Sequence, residues 1–138
     1  MTIAPKLIFS IVWSLFAVVS VGADDTGFAV LSYQCSSDTY GVGEPYGDAV
    51  SAVITALVDS TADSGYDCSA QSRPSNPGDQ VCYGHATCHV GIAKSECSTC
   101  VQYAANFLGN RCPMSYGAQT QIQSCRVRHE RYPFAENK

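Results

Sequence analysis

An α+β domain with an antiparallel sheet is predicted by three features of this 138-residue sequence. Two stretches repeat apolar residues with helical period, and the strand-like stretches around them are not interleaved with helices as βαβ units. Eight cysteines, an even number, suit a small fold stapled by disulfides.

The elements follow in chain order. Gly27–Gln34 (GFAVLSYQ) is apolar and rich in strand formers, and it leads through Cys35 into a polar, Gly- and Pro-containing segment ending at Tyr46, so a strand and then a loop are expected. From Ala49 the period changes: Val50, Val53, Ile54, Leu57 and Val58 recur at helical spacing, with Asp48 before them as a capping residue. That helix is expected to end near Asp63, because Gly65 can adopt the left-handed conformation that closes helices.

Arg73–Asp79 (RPSNPGD) reads as a turn-rich loop, its two prolines and glycine opposing regular structure. Gln80–Cys88 reads as a strand. Ser95 precedes a second helix, Glu96 to about Asn110, which places Cys97, Cys100, Val101, Ala104 and Leu108 on one face and Glu96 in the first turn. Its two cysteines lie one turn apart, so each can be tied to a different neighbour. Gln119–Tyr132 is expected to form one long, half-buried strand, with Cys125, Val127 and His129 on one face and Arg126, Arg128 and Glu130 on the other.

The first residues have the layout of a secretory signal: Lys6, then Leu7–Gly22 without a charge, then Val21 and Ala23 at the −3 and −1 positions. Residues 1–23 are therefore expected to be removed, leaving Asp24–Lys138 as a single domain. Leu7–Gly22 is shorter than the roughly 20 apolar residues that a spanning helix needs. The ending PFAENK carries no apolar tail of the kind that a lipid anchor replaces.

The expected mature part keeps seven Lys and Arg against twelve Asp and Glu, which argues against nucleic acid as a partner. All eight cysteines, at 35, 68, 82, 88, 97, 100, 112 and 125, lie in it, and in an exported chain they are expected to be oxidised. A zinc site is the competing use, because Cys97-x2-Cys100 has ligand spacing. Irregular partners and an oxidising compartment disfavour it, so no metal or other cofactor is expected.

Cys97-x2-Cys100 at a helix start also resembles a thiol-redox motif, yet Ser98-Thr99 is not the usual intervening pair and no βαβ pattern surrounds it. His85 and His89 share a strand face about 13 Å apart, too far to share a ligand, and His129 is distant. No G-x-S-x-G, paired-carboxylate or P-loop arrangement is present, so catalysis is not expected. The absence of an N-x-S/T sequon excludes ordinary N-glycosylation.

Cys88-x8-Cys97-x2-Cys100 (CHVGIAKSECSTC), preceded by Tyr83-Gly84-His85-Ala86-Thr87, resembles the signature of the plant ginkbilobin-2-homologous domain. The similarity runs from about Phe28 to Phe134 and includes Ser64–Asp67 (SGYD) and the spacing of Cys112 and Cys125. The resemblance implies a five-stranded antiparallel sheet packed against two helices. It also implies three bridges, Cys35–Cys112, Cys88–Cys97 and Cys100–Cys125, and leaves Cys68 and Cys82 to pair across the Pro-rich loop.

Lectin members of that family bind mannose through an Asn after the first cysteine, an Arg between the last two and a Glu beyond the last. The matching residues are Ser36, Gln119 and Glu130. Ser36 and Gln119 retain hydrogen-bonding groups for sugar hydroxyls but lack the charge-assisted donors of a guanidinium, which Arg126 and Arg128, on the strand face of Glu130, partly replace. The function the resemblance implies is a secreted, apoplastic defence protein with antifungal activity that binds mannose or mannan-type wall glycans without chemistry. The alternative is a non-lectin apoplastic module that binds an extracellular protein, including inhibition of a pathogen enzyme.

Overall fold

The computed structural model describes residues 28–74 and 80–136. The expected signal segment, its cleavage point at Ala23 and most of the Arg73–Asp79 loop lie outside the described residues. Within them the chain forms β1 (Val30–Cys35), α1 (Pro45–Ser60), β2 (Asp67–Ser72), β3 (Cys82–Cys88), α2 (Lys94–Arg111), β4 (Ala118–Ile122) and β5 (Cys125–Glu130). The five strands make one antiparallel sheet in the order β1-β4-β5-β3-β2, and both helices pack on one face of it.

Helix α1 begins four residues before the periodic stretch. Pro45 sits in its first turn, where a fixed φ and a missing N–H cost nothing, and Glu44 precedes it in extended conformation. Asp48 is therefore not the cap; it lies in the first turn, where its charge meets the positive end of the helix dipole. The helix ends at Ser60, earlier than expected, and Gly65 takes φ +69° in the turns that follow.

Tyr46, Ala49, Val53 and Leu57 form the buried face of α1, with Val50, Ile54 and Val58 partly buried beside it. This helix lies over β2 and β3, and Gly84 on β3 sets how closely. A Cβ at Gly84 would overlap Val53 Cγ1 and lie 3.1 Å from Leu57 Cδ1.

Helix α2 buries the five residues that periodicity placed on one face: Cys97, Cys100, Val101, Ala104 and Leu108. It packs over β4 and β5. Cys97 is bonded to Cys88 at the end of β3 and Cys100 to Cys125 at the start of β5, so consecutive turns of the helix are tied to two strands. Cys112, just past the helix, is bonded to Cys35 at the end of β1. These are the three pairs the family resemblance implies.

The fourth expected pair is corrected: Cys68 and Cys82 are free thiols. Register gives the reason. Cys68 stands opposite Ala86 and Cys82 opposite Ser72, so they share a sheet face but lie four residue pairs apart along the β2–β3 ladder, a distance of about 13 Å, whereas bridged Cα atoms lie within about 7 Å.

The single long strand expected over Gln119–Tyr132 is also corrected. It is a hairpin, β4 and β5, in which Thr120 stands opposite Val127 and Gln121 opposite Arg126. The buried positions are Ala118, Thr120 and Ile122 in β4 but Cys125, Val127 and His129 in β5. This change of parity, even to odd, marks the turn.

Candidate functional site

The outer face of the sheet, opposite the helices, is polar because alternation places Gln119 and Gln121 of β4 and Arg126, Arg128 and Glu130 of β5 there. At one end the β1–β4 pairing continues beyond the strands. The Ser36 N–H donates to the Gly117 carbonyl (2.8 Å), Tyr116 N–H to Asp38 O (3.0 Å) and Tyr40 N–H to Met114 O (2.9 Å). Tyr40, Tyr46 and Tyr116 pack together beneath this extension, and Tyr46 Oη donates to Tyr116 O at 2.9 Å.

A cleft of about 500 Å³ opens over this end of the sheet, and Ser36, Gln119 and Glu130 all line it. Gln34, Asp38, Tyr116, Arg128, Arg131 and Tyr132 complete its polar wall. Three residues spread over 95 positions of sequence thus meet in one place, because β4 lies between β1 and β5.

Each of the three is already oriented by neighbours. Ser36 Oγ accepts the Asp38 N–H (3.2 Å), leaving its own proton to donate. Gln119 Nε2 donates to Gln34 Oε1 (2.9 Å), and Gln119 Oε1 accepts from Arg126 Nη2 (2.7 Å). Glu130 Oε2 accepts from Arg128 Nε at 3.0 Å, with both side chains largely buried. Glu130 also lies directly on Gly117, where a Cβ would overlap its Oε1.

Two cations border the cleft over aromatic rings. Arg128 stacks on Phe134, 4.1 Å from the ring centre, and Arg131 on Tyr116 at 4.4 Å while its Nη2 reaches Asp38 Oδ2 at 2.9 Å. The cleft therefore offers fixed acceptors, fixed donors and aromatic edges. Fixed donors, acceptors and ring edges of this kind can hold a polar ligand.

A family model described as salt stress response/antifungal matches residues 32–132, from β1 through the residues just after β5. The chain belongs to that family. Antifungal protein ginkbilobin-2 of Ginkgo biloba is 29% identical over 126 residues, covering 91% of this chain and 93% of that protein. Antifungal protein ginkbilobin-like protein 1 of Picea sitchensis is 30% identical over 121 residues, covering 88% and 89%.

The fold recurs in the tandem DUF26 ectodomain of the Arabidopsis thaliana cysteine-rich receptor-like protein PDLP8. There the TM-score is 0.72 at 24% identity, over 78% of this chain and 50% of that one. This member of the salt stress response/antifungal family thus spans half of that tandem ectodomain. Among its described residues no helix is long and apolar enough to cross a membrane.

Cys97 and Cys100 belong to different bridges, so they form no dithiol pair. The histidines diverge. His85 lies between Asp67 (2.7 Å) and Glu136 (3.0 Å), His89 lies beyond the end of β3, and His129 is buried on the helix side of the sheet. Burial lowers the His129 pKa from 6.5 to about 4, against the Tyr116 carbonyl, which raises it.

Sequence reasoning missed Asp38, Arg131 and Tyr116 as parts of the cleft. They come from loops whose meeting depends on the 36–40 and 114–117 pairing, and no periodicity marks them. Of the two arginines expected to stand in partly for the family's Arg, Arg128 lines the cleft and holds Glu130, and Arg126 donates to Gln119.

Proposed function

We propose that this chain is a secreted antifungal defence protein, mature from Asp24, that recognises mannose-type wall glycan at the Ser36–Gln119–Glu130 cleft. The observation that carries this reading is the convergence of those three positions on one polar cleft. Membership of the salt stress response/antifungal family supports the antifungal part.

Recognition needs no covalent step. Glu130, fixed by Arg128 and Gly117, accepts from sugar hydroxyls; the Ser36 hydroxyl donates; Gln119 contributes its remaining amide hydrogen. Such an open, shallow site gives weak binding of one sugar, and a dense wall polymer supplies avidity. The test is growth inhibition of a fungus by the Asp24–Lys138 protein and by its Glu130→Ala variant. Loss of inhibition together with loss of mannan binding supports the proposal.

A second reading, a protein-binding module, is favoured by one observation. Edge strand β1 exposes Leu31 and Tyr33, and Tyr103 on α2 is exposed nearby, stacked on Phe28. Exposed apolar residues grouped on a sheet edge suit a protein partner. Plasmodesmata-located protein 8 of Arabidopsis thaliana, 26% identical over 72% of this chain and 37% of its own length, is a relative by sequence. Antifungal activity that survives Glu130→Ala and is lost on Tyr33→Asp favours this second reading.

A further inference from the structure

Beyond the cleft, the outer sheet face holds a second charged cluster, closed by the chain's own end. After β5 the chain runs back over the sheet, placing Phe134 against Arg128 and Glu136 in the middle of the face. Glu136 Oε2 accepts from Arg126 Nε at 3.1 Å and lies 3.0 Å from His85 Nδ1, while Oε1 is 3.7 Å from Arg128 Nη1. The Glu136 side chain is only 8% exposed. A carboxylate removed this far from water persists only when cations hold it.

The cluster's other acids are Asp67, 2.7 Å from His85 Nε2, and Glu130 on Arg128. His85 thus stands between two carboxylates, with Nε2 on Asp67 and Nδ1 on Glu136. Without Glu136 the Arg126 guanidinium would lose the carboxylate to which its Nε donates, while Arg128 would keep Glu130. A guanidinium with no acid on its Nε would then face the place where the carboxylate now sits.

Two cavities border this cluster, one reaching Glu136 and the other Arg126. One, of about 510 Å³, is lined by Ser69, Gln71 and Tyr83, by His85 with its partner Asp67, and by the Phe134–Glu136 segment. The other, of about 440 Å³, is lined by Ser32, Gln34, Gln119, Gln121 and Arg126. Amides and hydroxyls on either side of a carboxylate cradle match sugar rings on either side of a uronate. A peptide strand fits less well, because β4, β5 and β3 are paired on both edges and offer no backbone ladder.

We infer that the outer sheet face is a carboxylate-recognition site for an acidic, uronate-bearing glycan, with Glu136 as its internal occupant and Arg126 and His85 as the groups that receive the ligand's carboxylate. The site adjoins the mannose cleft through Arg128 but does not rest on the mannose reading.

The experiment titrates the full Asp24–Lys138 chain and its Glu136→Ala variant with an oligomer of galacturonic acid, by calorimetry at low salt. Removing the internal carboxylate is expected to tighten binding at least about tenfold, the gain vanishing in Arg126→Ala/Glu136→Ala and shrinking as salt rises. Glu136→Gln, which keeps the shape and removes the charge, is expected to shift affinity the same way and stands in if Glu136→Ala fails to fold. The inference is overturned if neither variant binds the oligomer more tightly than the unaltered chain, or if the gain survives Arg126→Ala. It is equally overturned if the peptide PFAENK binds Glu136→Ala while the oligomer does not. Mannan titration of the unaltered chain reads the other site, so the two proposals fail separately.

Discussion

The Glu130 carboxylate rests on the backbone of Gly117, in space that any side chain at 117 would fill. This relationship couples a glycine before β4 to a charged residue at the end of β5, and it fixes the acid at the mouth of the cleft. The atoms that would clash are the far end of a flexible side chain, so the acid can swing away at little cost to the fold.

Gly117→Ala is therefore expected to behave as a binding mutation. It displaces Glu130 from Arg128 and lowers stability by about 1–2 kcal/mol, the scale of a hydrogen bond to a charged group in a largely buried pair. Loss of glycan binding should match that of Glu130→Ala. Paired denaturation and binding measurements on the two variants check this.

Gly84→Ala is expected to do the opposite, harming the fold first. The added methyl meets Val53 and Leu57 on the buried face of α1, where no flexible chain end can move aside. Overpacking of this kind typically costs about 1–3 kcal/mol. Urea unfolding should show the loss as a lower midpoint with little change in slope.

Stability is expected to fall as the medium is acidified from about pH 6.5 to about pH 4, with His129 as one identifiable cause. Burial lowers its folded pKa to about 4 from 6.5, so the unfolded chain binds the proton first and the native state loses ground across that window. The contribution, fully present above pH 6.5, is about 3 kcal/mol in all. In His129→Met the dependence of unfolding free energy on pH should be shallower between these limits.

Titration of the unreduced, denatured protein is expected to find two thiols per chain, from Cys68 and Cys82. In the native protein Cys82 should not react, since it is fully buried and burial pushes its thiol up to about 11. Cys68, half-buried on edge strand β2, should react slowly. A count of zero in denaturant would restore the fourth bridge and require β2 and β3 to pair in another register.

Much of this architecture is legible in the residues. The buried face of α2 follows from the spacing of Cys97, Cys100, Val101, Ala104 and Leu108, because a helix at the surface of a sheet buries one stripe. The hairpin of β4 and β5 was missed because the turn at Gln123-Ser124 carries no glycine or proline; only the parity change from Ile122 to Cys125 betrays it.

Strand β2 (DCSAQS) has no large apolar residue to signal it and forms by pairing with β3. Its register, which no sequence pattern sets, is what separates Cys68 from Cys82. For the site, alternation placed Arg126, Arg128 and Glu130 on one face. That Ser36 and Gln119 join Glu130 depends on strand order, a long-range property, and Glu136 reaches Arg126 only because the chain doubles back after β5.

The most direct test of the proposed function is calorimetric titration of the Asp24–Lys138 protein with mannan, beside Glu130→Ala. The account predicts weak, saturable binding to the unaltered protein and none to the variant; no binding to either, or equal binding to both, would contradict it.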